Sequence, residues 1–306
     1  MRVFVTGGSG MVGRSVVEQL TAAGHQVSAL TRGGASEKTL SARGAEPVRG
    51  DVSQPNSWRD AAAAADALIH MAQEAPSGRI GKSAVARTGA VDEIARRALI
   101  EIAKAGQKTL VYTSGVFIYG GGAEPHAESD ALHAFPLVEY KVAGEREVLA
   151  SASGGAKPMV LRLGAVYAPW GNTEAFYLKA MKKGKSAGFP GDGKNTFSNI
   201  HHADCARAYV ACVTDPSPGE IFNVCDDRPA AVADFVGKLA SAMGAPKPKG
   251  APAFIIKLAT GYLAAPLLAH NVMSNQKIKQ RYRLTLAHPT IDSGVRDIAT
   301  AYQKMT

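Results

Sequence analysis

A chain of 306 residues with 46% hydrophobic and 20% charged residues has ordinary globular composition and can bury one large core or two smaller ones. Its net charge of +9 favours an anionic small partner such as a phosphorylated cofactor or substrate. The clusters Lys179/Lys182/Lys183/Lys185 and Lys277/Lys279/Arg281/Arg283 read as solvated helix faces, so no nucleic-acid partner is expected. Three cysteines (Cys205, Cys212, Cys225) form an odd set without CxxC spacing, so neither a disulfide framework nor a zinc site is implied, and a reducing cytoplasm fits.

The N-terminal MRVFVTGGSG has no signal-peptide layout and reads as a strand entering a glycine turn. Helical spacing over 11–23, through Val12, Val16, Val17 and Leu20, stops at Gly24. Strands are expected at VSAL, weakly at 46–48, at ALIH (67–70), at TLVYTS (109–114) and at PMVLRL (158–163). Helices are expected at 57–65, 91–105 and 138–152. This alternation predicts an α/β, Rossmann-type doubly wound parallel sheet covered by helices on both faces.

After Leu163 the pattern loosens into glycine- and asparagine-rich loops, a helix at 204–213, the strand FNV (222–224) and helices joined by GAPKPKGAPA (244–253). The expected division is a dinucleotide-binding domain over 1–168, with about 199–224, and a smaller, mostly helical substrate-binding region over 169–198 and 225–306. The stretch AFIIKLATGYLAAPLLA (253–269) is interrupted by Lys257, Gly261 and Pro266 and is shorter than the ~20 residues of a span. It reads as a buried or partner-facing helix, and no membrane partner is expected.

In VFVTGGSGMVGRSVVEQL, Gly7, Gly10 and Gly13 lie between a strand and a helix that starts inside the motif, with Met11 and Val12 in the turn. Gly7 permits the tight turn, Gly10 admits a pyrophosphate, and Gly13 lets helix and strand pack closely. The helix N-terminus then offers N–H groups to the anion. Strand two ends Thr31-Arg32-Gly33-Gly34, with no acid until Glu37. An arginine there suits a 2′-phosphate, so NADP(H) is preferred and NAD(H) is the alternative.

Together with GDV (50–52), IHMA (69–72), VYTSGVFIYG (111–120), LRLGAVYAP (161–169), NIHHADCARAYV (199–210) and FNVCDDRP (222–229), this loop resembles the extended branch of the short-chain dehydrogenase/reductase superfamily, the NAD-dependent epimerase/dehydratase type. The resemblance spans nearly the whole chain. It implies that Asp51 and Val52 lie beside the adenine and that Ala72 and Gln73 line the cofactor. It further implies that Lys141, opening the run Lys-Val-Ala-Gly-Glu, is the active-site lysine, and that Gly164 and Val166 flank the nicotinamide. His202 and Asp204 match an element that organises structure. Homodimers built on a helix bundle are common in the family, so the resemblance admits a homodimer.

The resemblance fails where the chemistry belongs. The family places a tyrosine four residues before the lysine, stacked on one helix face so that the ammonium lowers the phenol's pKa. Here that position is Leu137, and none of the nine tyrosines has a lysine four residues later. Tyr140 adjoins Lys141, about 100° away around a helix, and is expected to point elsewhere. The family's hydroxyl partner, four residues before Tyr119, is Gly115, with Ser114 just upstream. Tyr140, His133, Glu139, Tyr119 and Tyr167 are the candidate replacements for the acid/base group.

The expected function is an NAD(P)-dependent oxidoreductase or epimerase acting by hydride transfer on a carbonyl or hydroxyl of a small molecule or nucleotide sugar. Lys141, Ser114 and Tyr140 are its candidate catalytic residues. A non-catalytic NADP(H)-binding sensor is the alternative. His201 and His202 are adjacent, which does not suit metal binding from one helix face, so no metal is expected.

Overall fold

The computed structural model describes residues 1–74 and 78–305. Its main sheet contains β1 (Arg2–Thr6), β2 (Gln26–Thr31), β3 (Glu46–Arg49), β4 (Ala67–His70), β5 (Thr109–Gly115), β6 (Lys157–Leu163) and β7 (Ile221–Val224). All pair in parallel, in the order β7-β6-β5-β4-β1-β2-β3. The strand order reverses at β1, leaving a crevice at the C-terminal ends of β1 and β4, where Thr6 is in register with His70.

The helices of this layer are α1 (Gly13–Ala22), α2 (Ala35–Ser41), α3 (Arg59–Ala64), α4 (Lys82–Gly106), α5 (Tyr140–Ala150) and α6 (His202–Thr214). Strand alternation sorts the core into two halves. Val3, Val5 and Ile69 pack with Val16, Val17 and Leu20 of α1 and Cys205 and Tyr209 of α6. Phe4, Leu68 and Leu110 pack with Ala62 of α3, Leu99 of α4 and Val148 of α5. Full burial of each large apolar side chain contributes about 1.5–3 kcal/mol, which holds both helix layers onto the sheet.

The expected strands are present; the helix ends differ. α1 starts at Gly13 rather than 11, because the preceding residues complete the glycine turn. α4 begins nine residues before the apolar pattern that predicted it. Its first turns carry little apolar periodicity and are fixed by packing, with Gly89 set against the Tyr140 side chain. It ends at Gln107, in the left-handed region with φ 51°.

Beyond β6 lie α7 (Val232–Ala242), α8 (Ala253–Thr260), α9 (Ala264–Leu268), α10 (Gln276–Tyr282) and α11 (Ile291–Met305). Phe235, Val236 and Leu239 of α7 and Val295 and Ile298 of α11 form a further core with Tyr167, Leu178 and Met181. The 253–269 stretch divides into α8, which has no buried residue, and α9. No helix of the described residues is long and apolar enough to cross a membrane. The three cysteines are buried and free. The second basic cluster is not simply solvated: Lys277, Lys279 and Arg281 pair with Glu220, Asp227 and Asp215.

Candidate functional site

The glycine loop is sterically fixed. Gly7 has φ +79°, and a Cβ there would lie 2.6 Å from the backbone nitrogen of Ala72. A Cβ on Gly13 would lie 2.1 Å from the Gly7 carbonyl oxygen, and one on Gly10 would lie 3.1 Å from it. Val12 takes the N-cap position of α1 without a side-chain cap, so the helix start keeps donors for an anion. A dinucleotide phosphate fits this cradle, because the residues that would block it are glycines.

The adenosine end is more crowded than its sequence suggests. Thr31 Oγ1 accepts a hydrogen bond from Gly33 N at 3.1 Å, which shapes the turn that presents the exposed Arg32. Glu37 is engaged by Arg49 at 3.0 Å. The Asp51 carboxylate accepts from Ser53 Oγ and N, which hold its pKa below the usual range despite partial burial, with Arg32 adding to the effect. Val52 packs against the core beneath.

Sequence reasoning missed Trp170. Its Nε1 donates to the Met11 carbonyl at 2.9 Å, and Arg14 and Arg43 lie 5.6 and 5.7 Å from its ring. Two arginines therefore lie over one aromatic ring beside the loop, and burial followed by the Arg43 charge lowers the Arg14 pKa.

Across the crevice, Lys141 Nζ donates to Asp92 Oδ1 at 2.8 Å and to the Thr113 carbonyl at 3.0 Å. Asp92 also accepts from Arg96 and from the Tyr112 hydroxyl, and lies 3.7 Å from His70 Nε2. Burial alone would raise the Asp92 pKa, but the Lys141 charge and His70 hold it far below the usual range. Burial lowers His70 and keeps it neutral, with Nδ1 bonded to Thr6 Oγ1 at 2.7 Å. Asp92 had a sequence signal: a carboxylate on the same helical stripe as Ala95 and Leu99 is costly to bury unless cations meet it.

Tyr140 does not point away. Residues 136–139 form a turn rather than helix, and Lys141 N bonds Val138 O in an i→i−3 pattern. Such winding, about three residues per turn, removes the stacking of 137 on 141 that the expected helix assumed. Leu137 is therefore not a helical slot. The Tyr140 hydroxyl instead accepts from Gln73 Nε2 at 3.0 Å, just beyond β4, with Lys141 Nζ 5.4 Å from its ring. Burial pushes its pKa up to about 12, opposed by the Lys141 charge.

Ser114 is buried at the end of β5, and its Oγ has no partner among the described residues. Tyr119 is committed: its hydroxyl donates to Asn223 and accepts from Arg162. His133 and Glu139 are exposed, and the Tyr167 hydroxyl is buried without a partner among the described residues. Gly164 must be glycine, since a Cβ there would lie 2.5 Å from the Ser198 carbonyl oxygen.

His201, His202 and Asp297 bring ligand atoms within 4.8 Å of one another. The adjacency argument fails here, because His201 precedes α6 and His202 begins it. His201 Nδ1 accepts from Ala203 N, so Nε2 carries the proton and donates to Asp297 at 3.2 Å. That tautomer leaves no lone pair facing Asp297, and the group reads as a helix cap. Burial lowers the pKa of His201 to about 2 and of His202 to about 4, keeping both neutral. Asp204 accepts from Ala287 N and His288 N, a structural role.

Next to Val166 opens a cleft of about 130 Å³. Tyr177, Phe197, Phe235 and Leu267 supply apolar walls, Asn172 and Asn199 supply polar groups, and no lysine or arginine lines it.

The profile of the NAD dependent epimerase/dehydratase family matches residues 3–225. The chain is 30% identical over 268 residues to 2′-dehydrokanamycin reductase of Streptomyces kanamyceticus, covering 83% of this chain and 70% of that protein. It is 26% identical over 262 residues to 2-alkyl-3-oxoalkanoate reductase of Stenotrophomonas maltophilia, covering 81% and 77%. It is also 26% identical over 254 residues to the 4-hydroxy-2-methyl-3-oxo-4-farnesyl-3,4-dihydroquinoline-1-oxide ketoreductase of Stigmatella aurantiaca, covering 80% and 74%. UDP-glucose 4-epimerase of Thermus thermophilus, solved with NAD, shares the fold at a TM-score of 0.83, with 21% identity and full coverage of both chains. With the parallel sheet, the glycine cradle at its switch point and this match over most of its length, the chain belongs to the NAD dependent epimerase/dehydratase family.

Proposed function

We propose that the protein is an NADP(H)-dependent reductase of a small, lipophilic carbonyl compound. The observation that carries this reading is the cleft, whose aromatic and aliphatic lining has no cation to hold the diphosphate of a nucleotide sugar. Two relatives whose names specify a ketoreductase and an oxoalkanoate reductase support the same direction. Residues 169–198 and 225–306 are the region to which we assign substrate selection.

Gly7, Gly10 and Gly13 with the start of α1 would hold the pyrophosphate, and Arg32 the 2′-phosphate. Ala72, Gln73, Gly164 and Val166 would line the nicotinamide, and the bound dinucleotide supplies the hydride. Ser114 offers its unpartnered hydroxyl to the substrate oxygen. Tyr140 gives its phenolic proton to the developing alkoxide and regains one from solvent, while Gln73 holds the hydroxyl in place. Lys141 contributes positive potential from below and is itself positioned by Asp92.

The burial of Lys141 favours one rival, a protein that binds NADP(H) without turnover and serves as a sensor. Parallel measurements separate the readings. NADPH is expected to bind at least about tenfold tighter than NADH, with the difference lost in Arg32→Ala, a change of about 1.4 kcal/mol. Medium-chain ketones, not UDP-sugars, are expected to drive NADPH consumption. Turnover of UDP-sugars alone contradicts the reading, and tight NADPH binding without any turnover favours the sensor.

A further inference from the structure

α8 lies on the surface with its apolar side uncovered. Phe254 is 70% exposed, Leu258 73%, Ile255 45% and nearby Tyr262 39%. The i, i+3 and i, i+4 spacings place Phe254, Ile255 and Leu258 on one side of the helix. A cluster of large exposed apolar side chains of this kind marks a surface that something else covers.

Charge identifies the covering partner. From Phe235 to Ile291 the chain carries eight lysines and arginines and no aspartate or glutamate. Just before α8, strand Lys249–Ala251 pairs with Gly188–Pro190, and Ser186 Oγ donates to the Lys247 carbonyl at 2.9 Å. These contacts bring Lys183 and Lys185 alongside Lys247 and Lys249. Just after α8, Tyr262 N donates to Ile80 O at 2.9 Å and Gly261 lies against Arg79, which draws Arg79 and Lys82 to that end. Lys257 lies on the helix itself.

All seven cations are exposed, and none has an ion-pair partner among the described residues. The carboxylate of Asp192, in the turn beside Ala251, is paired with Lys194.

We propose that α8 and its flanking lysines form a peripheral docking surface for an anionic lipid membrane. Phe254, Ile255 and Leu258 enter the headgroup boundary, and the cations at both ends of the helix meet lipid phosphates. An eight-residue helix is too short to hold a bilayer by apolar burial alone, and a polybasic surround supplies the second signal that stable attachment needs. A second copy of this chain fits less well, because a two-fold contact through α8 would bring the unpaired cations of both copies together. This is surface attachment rather than a span, and it modifies the expectation of no membrane partner. Leu267 of α9, which follows α8, lines the cleft, so docking would set the cleft close to the lipid. The proposal stands independently of the proposed reaction, since lipid binding is measured without turnover.

The test is co-sedimentation of the full-length protein with phosphatidylcholine vesicles, with or without phosphatidylglycerol as about a third of the lipid. At low salt, at least about tenfold stronger binding to the anionic vesicles is expected, and it weakens as salt rises. Phe254→Ser/Leu258→Ser and, separately, Lys247→Glu/Lys249→Glu are each expected to reduce binding by about tenfold or more with an unchanged melting temperature. Failure to bind anionic vesicles overturns the proposal, as does equal binding to both vesicle types. Loss of self-association in Phe254→Ser/Leu258→Ser, measured by sedimentation velocity without vesicle binding in the wild type, would assign the face to a second copy instead.

Discussion

At the scale of single residues, the candidate acid is Tyr140, whose hydroxyl accepts from Gln73 Nε2, while Leu137 stands four residues before Lys141. Leu137 was legible as the missing tyrosine because the count back from Lys141 needs no structure. That Tyr140 reaches Gln73 was not legible, because it depends on a turn over 136–139 that runs into the helix expected from 138. Asp226 was not legible either: it follows β7, and both its carboxylate oxygens are buried with no hydrogen-bond partner among the described residues. Burial, then the charge of Asp227, raises its pKa to about 8.

A carboxyl raised in the folded state keeps its proton while the unfolded chain loses one near pH 3.9, so folding stability falls between about pH 4 and pH 8. Asp226→Asn removes this penalty. We expect stabilisation of roughly 2–5 kcal/mol at pH 8 and about 1 kcal/mol or less at pH 4.5, read by urea unfolding at both. An effect independent of pH would show that Asp226 does not hold its proton.

At the scale of elements, strands and the glycine loop were readable because each carries its own local signal: alternation, punctuation and positive φ. The network joining α4, β5 and α5 was not, since Asp92, Tyr112 and Lys141 meet only when three elements pack. Two of the three N–H donors of Lys141 are already spent there, on Asp92 and Thr113. Removing this ammonium strands part of a buried negative charge, and Lys141→Met is expected to cost about 3 kcal/mol in urea unfolding. A variant as stable as the wild type would mean that Asp92 is satisfied without Lys141. Activity lost in Lys141→Met would therefore mix unfolding with chemistry, whereas Tyr140→Phe removes one hydroxyl bonded to an amide at the crevice.

At the scale of the whole molecule, the parallel sheet and its switch point were legible from the β-α alternation, and they place the candidate site at the ends of β1, β4 and β5. The positive charge was legible as a total but not as a distribution. Around α10 the cations are met by Asp215, Glu220 and Asp227, and around α8 they are not. The lining of the cleft was likewise hidden, because Asn172, Phe197, Phe235 and Leu267 come from four distant stretches of chain. Fold and family thus followed from local pattern, while the chemistry depends on long-range contacts.

The most direct measurement is NADPH consumption with a lipophilic ketone by the wild type and by Tyr140→Phe, alongside NADPH affinity and melting temperature. We predict turnover in the wild type and a fall of at least about 100-fold in kcat for the variant, with affinity and stability unchanged. Full activity in Tyr140→Phe, or tight NADPH binding by a wild type that turns nothing over, would contradict a catalytic role for Tyr140.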